Sequence, residues 1–253
     1  MKNSIACLLL PVIVLSGCAS SPGTVTRDVT DAVEPSLQAA AAAAENSRDY
    51  SGAVQHYSTL YSHHPKDVGL GLALARNLRH SGQGQTAADL MQSLLAGNAG
   101  NADILLELGK DYVAADRVAL AVKTLTRARA AAPTRWEPLS VLGAALDTEG
   151  RSAEALAILQ EADRLSPDNP EILNNLGLCL AVSGQLPAAI ETLKRASDLP
   201  TASMQVRENL ALLLALHGET GKAETLTRHD LPAPLANGNV EQYRKWASVQ
   251  SPQ

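Results

Sequence analysis

Phenylalanine is absent from the 253 residues, and aromatics of every kind make up only 3%. A core built on stacked rings is therefore excluded. Apolar burial must come mainly from Leu, Ala, Val and Ile, within a hydrophobic content of 45%. Cysteine is also scarce: Cys7, Cys18 and Cys179 do not make a disulfide framework. An excess of positive charge is missing too. The net charge of -5 and pI of about 5.7 give no electrostatic case for nucleic-acid binding. The apolar run Ile5 to Leu15 is too short to span a bilayer as a permanent helix.

That run falls within residues 1–18, which read as an export signal. Lys2 supplies the positive start and Ile5 to Leu15 the apolar stretch. The segment ends Leu15-Ser16-Gly17-Cys18, which resembles the bacterial lipobox. The resemblance implies that Cys18 becomes the N-terminus and carries acyl chains. Several chains anchor stably where one alone binds marginally. Ala19 follows, where Asp would resemble an inner-membrane retention signal. The expected location is therefore the outer membrane, facing the periplasm. Residues 19–33, opening Ala19-Ser20-Ser21-Pro22-Gly23-Thr24, are rich in turn formers and are expected to be a flexible tether.

From Glu34 the chain repeats itself every 34 residues, with starts at Glu34, Val68, Ala102, Trp136, Pro170 and Met204 and an end near residue 230. Gly109, Gly143 and Gly177 recur at one position, held by Ala41 and Ala211 in the end units. Ala53, Ala87, Ala121, Ala155, Ala189 and Ala223 recur at another. A turn position carries Gly82, Gly150, Gly184 and Gly218, with Arg48 and Asp116 completing the series. Asp67, Asn101, Asn169 and Ser203 precede unit starts and are good helix N-caps. Small residues on two helices allow close approach, and a left-handed residue turns the chain between them.

A 34-residue helix-turn-helix unit of this kind resembles the tetratricopeptide repeat. The resemblance implies an all-α, right-handed superhelical solenoid of about six units. A capping segment over 231–253 follows, with Asn239 expected to start a short helix through Val240, Tyr243 and Trp246. It also implies a concave face lined by the first helix of each unit. Two zones emerge there. Arg76, Arg79, His80, Lys110 and Val113 form a basic zone suited to acidic groups. Leu178, Ala181, Val182, Leu212, Ala215 and Leu216 form an apolar zone, either open to a partner or covered by the C-terminal segment, with Asn174, Asn175 and Asn209 available to a peptide backbone. The Lys/Asn clamp of chaperone-binding members is missing, because Gln38, Leu72 and Leu106 hold its positions.

Catalytic and cofactor motifs are lacking. Gly218-Glu219-Thr220-Gly221-Lys222-Ala223 fails as a phosphate loop, since Leu216 and Ala223 replace the required Gly and Ser/Thr. His63-His64 has no further ligand at metal spacing. Cys179, between Leu178 and Leu180, reads as a buried thiol. No enzyme, metal, cofactor, small-molecule substrate or nucleic acid is expected.

A narrower resemblance lies in the last third. Val206-Arg207-Glu208-Asn209-Leu210, Gly221-Lys222-Ala223-Glu224, Arg228-His229-Asp230-Leu231 and Asn239-Val240-Glu241-Gln242-Tyr243 resemble the TadD lipoproteins of the tight-adherence (Flp) pilus system. That resemblance implies a scaffold for pilus assembly or its outer-membrane secretin. The alternative is another periplasmic lipoprotein adaptor, recruiting cell-wall hydrolases or serving as a type IV pilus pilotin.

Overall fold

The computed structural model describes residues 22–250, with side-chain surroundings for 33–245. Among these residues the secondary structure is helical, in thirteen helices. They are α1 (Pro22–Asn46), α2 (Tyr50–His63), α3 (Val68–His80), α4 (Gly84–Gly97), α5 (Ala102–Ala114) and α6 (Val118–Ala131). Then follow α7 (Glu137–Thr148), α8 (Ser152–Leu165), α9 (Pro170–Val182), α10 (Leu186–Ser197), α11 (Met204–Leu216), α12 (Thr220–Asp230) and α13 (Ala233–Gln250). Each helix packs on the next, and first helices α3, α5, α7, α9 and α11 also touch one another in series. The result is an all-α superhelix of stacked helix pairs.

One contact fixes the pairs. A Cβ placed on Gly109, Gly143 or Gly177 would meet Leu125, Leu159 or Leu193 at 2.5, 2.5 or 2.8 Å. Those three leucines are completely buried. The first helix thus presents bare backbone to a leucine of the second. Where the first helix carries Ala instead, at Ala41, Ala75 and Ala211, the leucine is replaced by Tyr57, Met91 or Thr227. The extra methyl is matched by a flatter, more flexible or smaller partner. The recurrent Ala53, Ala87, Ala121, Ala155, Ala189 and Ala223 are all at 0% exposure.

The turns follow the same period. Arg48, Gly82, Asp116, Gly150, Gly184 and Gly218 all have φ between 57° and 91°. Glycine adopts this left-handed region freely, whereas Arg48 and Asp116 hold it at a cost. Asp67, Asn101 and Asn169 cap α3, α5 and α9 with side-chain oxygens, while Ser203 makes no such bond.

Both ends differ from expectation. Cys18 lies outside the described residues, but α1 begins at Pro22, so 22–33 is helix where a tether was expected. Pro22 takes the first helical position, where its missing N–H costs little. Pro35 lies inside α1 and removes one backbone donor, yet the helix runs through it, with neither Gly nor Pro between Thr24 and Glu34. At the other end Asn239 is mid-helix and caps nothing. The Pro232 carbonyl accepts from the Leu235 and Ala236 N–H groups, both at 3.0 Å, and starts α13 earlier. Ala236, Val240 and Tyr243 form one buried stripe against α11 and α12. Arg244 reaches both Glu224 oxygens at 2.7 and 2.8 Å and fastens the helix from outside. α13 therefore occupies the place that the first helix of a further unit would take.

Candidate functional site

First helices of neighbouring units are joined by polar contacts across the inner face of the stack. In the N-terminal half these begin with Asn77, which is buried and donates to Glu45 Oε1 at 2.6 Å; Tyr57 also donates to Glu45, at 3.0 Å. One unit further, Arg79 donates to Asp111 at 2.5 Å and to Glu107 at 2.8 Å. Lys110 donates to Glu107 at 3.0 Å. Both carboxylates are buried, at 7% exposure for Glu107 and 0% for Asp111. Burial would raise the Glu107 carboxyl, but Arg79 and Lys110 together hold it below its ordinary value. For Asp111 burial wins over Arg79 and raises the pKa to about 7. Its second oxygen has no hydrogen-bond partner in the protein.

These contacts correct the expected basic zone. Arg79 and Lys110 are engaged by carboxylates within the protein and do not form an open cationic surface. Arg76 remains exposed, and the His80 ring stacks on Tyr50 with centroids 4.8 Å apart. The missed residues are Glu45, Asn77, Glu107, Asp111 and Ser140. The signal that could have found them is the chain offset of the pairs, 32 residues for both Glu45–Asn77 and Arg79–Asp111.

In the C-terminal half the contacts are neutral. Asn209 donates to Asn174 at 2.7 Å, and Asn175 donates to the buried Ser140 hydroxyl at 3.0 Å. Asn174 and Asn175 are linked at 3.4 Å. The three asparagines thus bridge α7, α9 and α11, and stay half-buried, with amide capacity left over. At the C-terminal ends of α9 and α11, Val182 is 68% exposed and Leu216 38%. Leu178 is half-buried. Leu212 packs on the core and lines a small cleft with Tyr243 of α13. Ala215 is fully buried. α13 therefore covers the groove at Leu212 and leaves Val182 and Leu216 open.

A larger cleft of about 640 Å³ lies where α7, α9 and α11 begin. Trp136, Glu171, Asn174 and Gln205 are among its walls, together with the turn Pro167–Pro170. Trp136 is held by packing against Leu139, Ala162 and Ile172. Cys179 is buried, donates weakly to the Ser152 carbonyl at 3.6 Å, and has its pKa raised to about 11 by burial and Asp147. His63 and His64 both turn to Glu34 Oε1, at 3.3 and 2.8 Å. Among the described residues no group of His, Cys, Asp and Glu is arranged to hold a metal, and no helix is long and apolar enough to cross a membrane.

This inner face, on a stack of helix pairs, defines a class. Residues 106–170 and 148–200 match models of the tetratricopeptide repeat. Over residues 106–200 the chain is thus similar to tetratricopeptide repeats, a fold that is typically a non-enzymatic protein–protein interaction scaffold. Among solved structures, a thermophilic TPR protein in Thermus thermophilus is 22% identical, with a TM-score of 0.61; the match covers 68% of this chain and 96% of that one. MamA protein is 19% identical with a TM-score of 0.52, covering 65% of this chain and 90% of its own. The APC/C hetero-tetramer Cut9-Hcn1 is 14% identical with a TM-score of 0.61, over 78% of this chain and 40% of that one. At these identities the likeness is one of fold. Among curated proteins no sequence matches the chain.

Proposed function

We propose that this chain is a lipid-anchored, non-enzymatic scaffold at the periplasmic side of the outer membrane, presenting the concave surface of its last three repeats to protein partners. The observation that carries the reading is the asparagine bridge Asn174–Asn175–Asn209, with Val182 and Leu216 exposed at the C-terminal ends of the same helices. Half-used amides on the same helices as open aliphatic side chains suit an extended peptide segment, which needs both hydrogen bonds and apolar contact. Support for anchoring is Leu15-Ser16-Gly17-Cys18. Support for a role in assembling a Tad/Flp-type pilus or its secretin is the likeness of the last third, through Asn239-Val240-Glu241-Gln242-Tyr243, to TadD lipoproteins.

Two measurements test this. Cys18→Ser is expected to move the protein from the outer-membrane fraction to the soluble periplasmic fraction; retention in the membrane after a salt wash would refute the anchor. A photo-crosslinker placed at Val182 in the native host is expected to capture pilus-assembly or secretin proteins. Capture of cell-wall hydrolases with no pilus component would refute the pilus role and keep the scaffold. Absence of any protein adduct would refute the scaffold.

A further inference from the structure

The charges of the inner helices are divided between the two halves of the array. In α3 and α5, Arg76, Arg79 and Lys110 stand among Asp103, Glu107 and Asp111. In α7, α9 and α11 the acids are Glu137, Asp147, Glu171 and Glu208, and Arg207 is the single Lys or Arg. Arg207 is tied to Asp230 at 2.7 Å and to the Ala202 carbonyl at 3.1 Å. Of the acids, Glu137 is paired with Arg135 and Asp147 accepts from Ser152 at 2.6 Å. Glu171 and Glu208 have no ion-pair partner among the described residues. The inner surface of the last three repeats therefore carries uncompensated negative charge as well as an aliphatic strip.

The two features lie at opposite ends of the same helices. Glu171 is in the first turn of α9, in the wall of the large cleft with the indole of Trp136 and the amides of Asn174 and Gln205. A carboxylate, an indole and amide oxygens together suit a guanidinium or ammonium group, through an ion pair, hydrogen bonds and a cation–π contact. Val182 closes α9 and Leu216 closes α11. At the rise of an α-helix, Glu171 and Val182 are separated by about 16 Å. About five residues of extended chain span that distance.

We infer that this surface binds an extended segment of a protein partner that carries a Lys or Arg side chain at one end and aliphatic side chains about five residues away. The cationic group sits between Trp136 and Glu171, the backbone runs over Asn174 and Asn209, and the aliphatic end rests on Val182 and Leu216. The inference rests on the scaffold reading and adds the chemistry of what is bound.

The test uses the full-length protein in detergent and short fluorescent peptides read by anisotropy. One probe has Lys followed at the stated spacing by two leucines, and a second has Glu in place of that Lys. The Lys probe is expected to bind about fivefold more tightly, with a preference that shrinks as salt is raised. Glu171→Gln should remove most of that preference, and Val182→Asp should weaken both probes. Both residues are at the surface, and unchanged helical circular dichroism would exclude misfolding. Equal binding of the two probes, a preference untouched by Glu171→Gln, or binding untouched by Val182→Asp would each overturn the inference. So would a concentration-dependent dimer abolished by Val182→Asp, which would make a second copy of the chain the occupant. Crosslinking at Val182 reads the scaffold separately: protein adducts with failed peptide tests would refute only the chemistry.

Discussion

Gly143→Ala places one methyl at the tightest recurring contact of the array. The new Cβ would lie 2.5 Å from Leu159 Cγ and 2.8 Å from Cδ2. Leu159 is completely buried, so its branch carbon has no open space to enter. Two effects oppose one another. Ala is the better helix former by about 1 kcal/mol. Overpacking a closed core costs about 1–3 kcal/mol, and a branch-point contact at full burial belongs at the upper end, about 3 kcal/mol. The clash wins, for a net loss of about 2 kcal/mol. The second repeat supplies the compensation: Ala75 is matched there by the fully buried Met91. Leu159→Met alone should cost less than about 1.5 kcal/mol. Combined with Gly143→Ala, it should recover at least about 1 kcal/mol relative to the sum of the single changes. Urea unfolding of the four proteins, followed by circular dichroism, measures both quantities. A Gly143→Ala protein at least as stable as the parent, or strictly additive changes, would refute the packing argument.

Other perturbations probe the ladder and the turns. Asp111 is protonated up to about pH 7 when folded, whereas an unfolded carboxyl ionises near its ordinary value of 3.8. The folded state thus binds more protons between these limits, and this group lowers stability as pH rises through them. Asp111→Asn should remove that slope, so its stability relative to the parent should improve from pH 4 to pH 7; a constant difference would contradict the assignment. Above pH 7, where Asp111 is ionised, Arg79→Ala leaves two buried carboxylates with Lys110 alone and should cost about 3–5 kcal/mol in chemical denaturation; a loss below about 1 kcal/mol would show the cluster to be well hydrated. Asp116 has a φ of 57° where four other repeats use glycine. Asp116→Gly should therefore raise stability by about 1 kcal/mol, and a drop in melting temperature would show that the side chain contributes more than its backbone strain costs.

The sequence by itself determined the repeat. Small residues at Gly143 and Ala155, and a left-handed position at Gly150, are one-residue requirements of close helix approach and of the turn, so each shows as a residue type at a fixed period. The same reasoning found Arg48 and Asp116 in the turn series although neither is glycine. It also singled out Asn174, Asn175 and Asn209, which make contacts between neighbouring first helices. It failed where outcome depends on which side chains meet. Arg79 and Lys110 read as open cations, because Glu107 and Asp111 face them only once neighbouring first helices are staggered. Whether Leu212 is open or covered was not legible, because its cover is α13, whose start is set by Pro232 and not by Asn239. At the other end, α1 begins at Pro22 and runs through Pro35, and no start near Glu34 is used. Tertiary structure alone decided those points: a hydrogen bond or a burial between units is a property of two helices and their stagger, and no single position in the chain records it.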